Sequence, residues 1–242
     1  MPTVLKLHNV SKAFGAVTVS DALSYELESG EALGIIGPNG AGKTSMFNLI
    51  TGALPADAGS IWFDGRDITH MKAAKRCRSG IARSFQIPQP FGAMSVFENA
   101  LVAATQGAGL AGAQANRLCL DALEQTGLLA KANTLAGNLT LLERKRLELT
   151  RALCAKPKLL LLDEIAGGLT EKECHALVET IRAIRSTGIS IIWIEHIVHA
   201  LLAVVDRLVV IDFGRKIAEG EPKAIMASRQ VREIYMGIEV DG

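Results

Sequence analysis

Gly37-Pro38-Asn39-Gly40-Ala41-Gly42-Lys43-Thr44 is the stretch on which the reading of this 242-residue chain turns. It fits the pattern G-x-x-x-x-G-K-[ST]. Glycines let backbone N–H groups converge on phosphate oxygens, and a helix that starts at once behind them adds its positive end. Lys43 then reaches the outer phosphates, and the Thr44 hydroxyl binds Mg²⁺. The motif requires a strand before it and a helix after it. Ala32 to Ile36 is a short apolar run that reads as a buried strand, and Thr44 to Thr51 carries helical spacing.

A second stretch, Leu159-Leu160-Leu161-Leu162-Asp163-Glu164, completes the chemistry. A buried strand delivers Asp163 to its carboxyl end, where ligands collect in open α/β sheets. Asp163 is expected to hold Mg²⁺, and Glu164 to polarise a water for in-line attack on a γ-phosphate. The ligand expected is therefore a nucleoside triphosphate with Mg²⁺.

The opening third reads as β-rich, with strands at Val4 to Val10, Asp21 to Leu27 and Ser60 to Phe63. From about His70 to Pro157 Ala, Leu, Arg, Glu and Gln dominate and the pattern looks helical, with loops at Pro88-Gln89-Pro90 and Gly107 to Gly112. From Lys158 an α/β rhythm returns: helix Glu171 to Ser186, strand Ile189 to Ile194, helix His199 to Val205. Leu208 to Ile211 and Lys216 to Ala218 then form a hairpin. Strands alternating with helices imply a largely parallel sheet. The expectation is one domain over 1–242, with an α/β core at about 1–69 and 158–242 and a helical lobe at about 70–157.

Composition limits the alternatives. Hydrophobic residues make up 49% and charged ones 21%, and mean hydropathy is +0.25, which is enough for a sizeable core. No apolar run approaches the roughly 18 residues that span a bilayer, and the opening residues lack a signal-peptide core. A net charge of +1 argues against a nucleic-acid binder. The basic clusters Lys72, Lys75, Arg76, Arg78, Arg83 and Arg144-Lys145-Arg146 read as solvated helix faces. Cys77, Cys119, Cys154 and Cys174 have no C-x-x-C spacing, and no ligand pair in the sequence joins His196 and His199 to make a metal site.

From about Val4 to Gly237 the chain resembles the nucleotide-binding subunit of ABC transporters. The resemblance implies the ABC ATPase fold: a P-loop NTPase core with a mainly parallel sheet, an antiparallel β subdomain and a helical insertion. It makes the triphosphate ATP, and by position it makes Phe14 the aromatic that stacks on adenine. Gln86, in Arg83-Ser84-Phe85-Gln86, is the loop glutamine that touches Mg²⁺ or the attacking water and senses the membrane partner. His196, in Trp193-Ile194-Glu195-His196, is the histidine that contacts the γ-phosphate.

The family signature L-S-G-G-Q is replaced by Leu139-Thr140-Leu141-Leu142-Glu143. In the family this segment contacts the ATP held by the opposite subunit. Thr140 keeps the hydroxyl, but two leucines crowd the backbone and a carboxylate replaces the amide. Thr140-x-x-Glu143 is also a capping box, which draws the carboxylate back onto its own helix. Ile165 and Thr170 depart from the family's usual proline and Asp or Asn. Two readings stay open: an altered half-site in an unequal pair, or a subfamily spelling that works normally.

Within the family, Arg83 to Gln86, Met94-Ser95-Val96-Phe97-Glu98-Asn99 with Leu101 and Ala103, Arg146-Leu147-Glu148 and Val231 to Gly237 are similar to branched-chain amino-acid importer ATPases. ATPases of lipopolysaccharide export have similar tails, so that exporter stays as an alternative, as does a low-turnover regulatory subunit. The implied mechanism is a clamp of two cassettes, a homodimer or a heterodimer with a paralogue, closing on two ATP at the cytoplasmic face of the inner (plasma) membrane. Its partners are permease subunits and, indirectly, a solute-binding protein. A DNA- or ribosome-acting relative needs coiled-coil arms or two fused cassettes. A GTPase needs an N-K-x-D motif, and a small kinase leaves Gln86 and His196 unexplained.

Overall fold

Residues 2–236 are described in a computed structural model of the chain; Gly237, the last residue of the tail resemblance, lies outside them. The chain opens with β1 (Thr3–Phe14), β2 (Val17–Glu28), β3 (Ala32–Ile36), α1 (Lys43–Thr51), β4 (Ala58–Phe63) and β5 (Arg66–Asp67). It continues with α2 (Ala73–Arg78), β6 (Ile81–Ser84), α3 (Val96–Gln106), α4 (Gly112–Gln125), α5 (Leu141–Cys154), β7 (Leu159–Asp163) and α6 (Glu171–Arg185). The last part holds β8 (Ser190–Ile194), α7 (Val198–Leu202), β9 (Arg207–Asp212), β10 (Arg215–Gly220), α8 (Pro222–Ala227) and α9 (Arg229–Met236). The described residues form two compact units, one within 2–73 and 190–236, the other 74–189. Residues 158–189, which the sequence pattern groups with the α/β core, fall in the second.

The first unit holds two sheets. In one, the antiparallel order is β2-β1-β4-β5. Leu23, Tyr25 and Leu27 of β2 are buried while Glu26 and Glu28 face out, the period-two pattern of a strand with one dry face. In β1 the buried positions are Val4, Leu5, Leu7 and then Val10. The extra residue is a bulge: Leu7 pairs with Tyr25 and Val10 with Leu23, and Asn9 takes φ 49. Ser24 Oγ accepts the Asn9 N–H at 2.7 Å and satisfies a donor that the bulge removes from the ladder. In the other sheet β3 runs parallel to both β8 and β9, and β10 closes antiparallel on β9. β3 and β8 are buried throughout, as sequences that are apolar but for Ser190 require. The hydrophobic face of α1 buries Met46, Phe47, Leu49 and Ile50.

The second unit pairs β6 and β7 in parallel, Ile81 opposite Leu159 and Ser84 opposite Leu162. Around it α3, α4 and α5 bury Val96, Leu123, Leu128, Ala136, Leu139 and Leu147 in one cluster. β6 lies inside the stretch expected to be helical. Ile-Ala-Arg-Ser has one β-branched residue in four, and only the ladder with the leucine-rich β7 makes it a strand. Nor are the basic clusters wholly solvated faces, because Arg76 and Lys145 are buried. Among the described residues no helix is long and apolar enough to cross a membrane.

Candidate nucleotide-binding site

In the first unit, β3 feeds the loop Gly37–Gly42 and α1 begins directly at Lys43. Its N-cap, Gly42, offers no side chain, and the first turn holds no acid, so the amides at this helix start are left to an anion. The glycines answer different demands. A Cβ at Gly37 would lie 2.0 Å from the Ile211 carbonyl oxygen, and one at Gly42 would lie 2.2 Å from that of Val19. These two glycines let β9 and β2 clasp the loop, a clasp tightened where the Gly214 N–H donates to Ala41 O at 2.9 Å. At Gly40, φ is +80 and a Cβ would meet nothing within 4 Å, so that position opens onto room for a ligand.

Replacing Gly42 by alanine should therefore lower the melting temperature by many degrees. Gly40→Ala should cost about 1 kcal/mol of backbone strain and act mainly on nucleotide affinity. Thermal melts and an ATP titration of both variants separate the two roles.

Lys43 is 6% exposed. Its Nζ donates to Gly37 O at 2.8 Å and Pro38 O at 2.9 Å, which folds the lysine across its own loop. Thr44 is exposed. His196 is exposed just beyond β8, where the buried Glu195 carboxylate accepts the N–H groups of His196 (3.0 Å) and Ile197 (3.4 Å) and fixes the turn. Phe14, at the end of β1, is 55% exposed. Packing does not account for it, and Lys12 Nζ lies 5.4 Å from its ring centroid.

The second unit carries Gln86, Thr140, Asp163 and Glu164. Asp163 ends β7, is 3% exposed, and accepts from Arg83 Nη2 at 2.5 Å. Glu164 follows at φ +46, a left-handed conformation that a non-glycine residue holds only where its surroundings impose it. Its Oε2 accepts from Gln86 Nε2 at 2.5 Å, so the loop glutamine and the candidate base are in contact. Sequence reading singled out both residues but gave no sign of the bond. It also read Arg83 only as part of a solvated basic helix face, whereas the residue lies on β6 with its side chain 9% exposed; the signal available was a charge set among Ile81, Ala82 and Phe85.

Thr140 caps α5. Glu143 N–H donates to Thr140 Oγ1, and Glu143 Oε2 accepts the Thr140 N–H at 3.0 Å, the capping box that the spacing implies. Glu143 is also ion-paired with Lys131. Lys131, followed by the Thr140 amide, holds the Glu143 carboxyl below its ordinary range. The stabilisation from this depressed value is present at neutral pH and is lost as pH falls below about 4.5, the ordinary glutamate value. Thr170, at a departure from the family pattern, N-caps α6 in a second capping box with Glu173. Ile165, the other departure, is buried.

In the first unit the glycine loop offers amides and an ammonium that suit a triphosphate, and the Thr44 hydroxyl is an oxygen donor of the type Mg²⁺ takes. In the second, Gln86 and Asp163 offer oxygen donors of the same type. Glu164 adds a carboxylate bonded to an amide donor.

Comparison with known proteins agrees with this chemistry. The family profile described as ABC transporter matches residues 20–167. The chain is 32% identical to BraF of Pseudomonas aeruginosa, described as a high-affinity branched-chain amino acid transport ATP-binding protein, over 97% of this chain and 98% of that one. It is also 32% identical to LptB of Escherichia coli K12, described as a lipopolysaccharide export system ATP-binding protein, over 96% and 97%. The ADP conformation of MJ1267, an ATP-binding cassette of an ABC transporter, superposes with a TM-score of 0.90 at 31% identity, covering 98% of this chain and 100% of that one. The loop, the carboxylates and these full-length likenesses together make the chain a member of the ABC transporter ATP-binding family, whose members hydrolyse ATP.

Proposed function

We propose that this chain powers an importer of branched-chain amino acids or related small solutes. The observation that carries the catalytic part is the Gln86–Glu164 hydrogen bond, which joins the loop glutamine to the candidate base. Supporting the cargo are the likeness to BraF and the segments Arg83–Gln86, Met94–Asn99 and Arg146–Glu148.

In this reading the loop amides and Lys43 hold the ATP phosphates, Phe14 stacks on the adenine, and His196 contacts the γ-phosphate. Thr44, Asp163 and Gln86 are the ligands for Mg²⁺, which when bound neutralises charge on the β- and γ-phosphates. Glu164 takes the proton of the attacking water, and Gln86 orients it. A second cassette, identical or paralogous, closes the clamp, and the exposed apolar residues Phe85, Ile87 and Phe91 meet the permease. The chain works peripherally at the cytoplasmic face of the inner membrane, and a solute-binding protein delivers cargo to the permease.

The likeness to LptB has equal identity and nearly equal coverage, so a lipopolysaccharide-type exporter is the second reading. Proteoliposomes carrying this chain with its permease discriminate between them. Leucine-class solute with its binding protein should stimulate ATP hydrolysis several-fold; stimulation by a lipid A glycolipid instead, with none by amino acids, would favour the exporter.

The altered signature weakens the half-site this chain offers to its partner. Glu143, paired with Lys131, takes up the Thr140 N–H that a phosphate would otherwise use, and Leu141 and Leu142 occupy what the family leaves as bare backbone. With turnover blocked by Glu164→Gln, the chain should remain monomeric in Mg²⁺ and ATP by light scattering. Adding Leu141→Gly, Leu142→Gly and Glu143→Gln should produce an ATP-dependent dimer. Equal dimerisation without those changes would mean that the native spelling works in both sites.

A further inference from the structure

The ion pair at the end of β6 ties the candidate metal-binding carboxylate to a residue with no role in the reading above. β6 and β7 run parallel with Arg83 opposite Leu161 and Ser84 opposite Leu162. From there Arg83 reaches Asp163, its Nη2 lying 2.5 Å from Oδ2, with the two side chains 9% and 4% exposed. A carboxylate this buried stays charged only when a cation or several donors compensate it. The same guanidinium lies 5.1 Å from the ring centroid of Phe85, which is 53% exposed and next to Gln86.

We propose that Arg83 is a positioning residue that holds the Asp163 carboxylate in place, and that it yields Asp163 Oδ2 to Mg²⁺ when nucleotide loads, so that Arg83 and Mg²⁺ compete for one carboxylate oxygen. One oxygen cannot keep a 2.5 Å bond to a guanidinium and also ligate a dication, because the two positive charges would repel at close range in a poorly solvated place. The face of Phe85 gives the displaced guanidinium a nearby cation–π seat. Arg83 thus pairs with Asp163 before the metal arrives, and the metal takes its place afterwards. This rests on the nucleotide-binding reading of the site.

The test uses the purified full-length chain at saturating ATP, first with EDTA and then titrated with Mg²⁺, followed by thermal melts. Arg83→Gln should melt lower than wild type without Mg²⁺. Its Mg²⁺ half-saturation should fall about tenfold, since the competitor is gone. Arg83→Lys keeps the charge but not the planar guanidinium, and its half-saturation should fall between those of wild type and Arg83→Gln. A merely structural Arg83 would lower the melting temperature and leave half-saturation unchanged, which overturns the proposal. Should Arg83→Gln fail to fold, guanidinium ¹⁵N spectra of the wild-type chain decide. Split Arg83 signals with ATP and EDTA that collapse on adding Mg²⁺ support the competition, and signals unaffected by Mg²⁺ refute it. A wild-type chain that does not respond to ATP even with EDTA overturns the nucleotide reading itself, a result separate from equal Mg²⁺ half-saturations.

Discussion

Lys43→Ala should lower ATP affinity by at least about a hundredfold in a titration of the purified chain. Charge-assisted hydrogen bonds contribute about 1.5–3 kcal/mol each when desolvated, and an ammonium that bonds two phosphate oxygens in a loop this enclosed makes two of them. The structure shows why the lysine is ready for that task. Its Nζ already sits among the loop carbonyls of Gly37 and Pro38, at 2.8 and 2.9 Å, so little side-chain freedom is lost when phosphate arrives. Alanine removes the charge and leaves the two carbonyls without this donor, so melts must accompany the titration. Lys43→Met, which keeps the packing of the stem, should lose affinity as severely while melting closer to wild type.

The second large effect falls on turnover. Glu164→Gln in this chain, assayed in the complete transporter, should reduce kcat by about two to four orders of magnitude, the range for removing a general base, with ATP affinity within a few-fold of wild type. Glutamine keeps the length of the side chain and can still accept the Gln86 amide through its carbonyl oxygen, so the 2.5 Å contact has a successor and the loop stays in place. It also keeps the Cβ that already tolerates φ +46, so no new backbone strain enters. What is lost is the ability to take a proton. Undiminished hydrolysis would mean that the productive site of the complex does not depend on this glutamate.

Local features were legible in the sequence. The Gly37–Thr44 spacing specifies a loop conformation that few other residues could adopt. Runs such as Ala32–Ile36 and Leu159–Leu162 can only be buried, and the Thr140-x-x-Glu143 box closes within one turn. Features that depend on distant pairing were hidden. β6 exists because β7 lies beside it, some 80 positions away in the chain, and the Arg83–Asp163 and Gln86–Glu164 bonds follow from that pairing. The grouping of 158–189 with the helices has the same origin: β7 is held to β6, and α6 packs on α4 and α5. The sequence also could not tell why each glycine of the loop is needed. Gly37 and Gly42 make way for the protein's own backbone at Ile211 and Val19, and Gly40 does not.

Amide spectra of the ¹⁵N-labelled chain titrated with ATP and Mg²⁺ test most directly whether the loop before α1 grips the triphosphate. The expected result is that the largest shifts fall on Gly40, Gly42, Lys43 and Thr44 and vanish together in Lys43→Ala. Saturable ATP binding that leaves those four amides unmoved, with its largest shifts elsewhere, would contradict it.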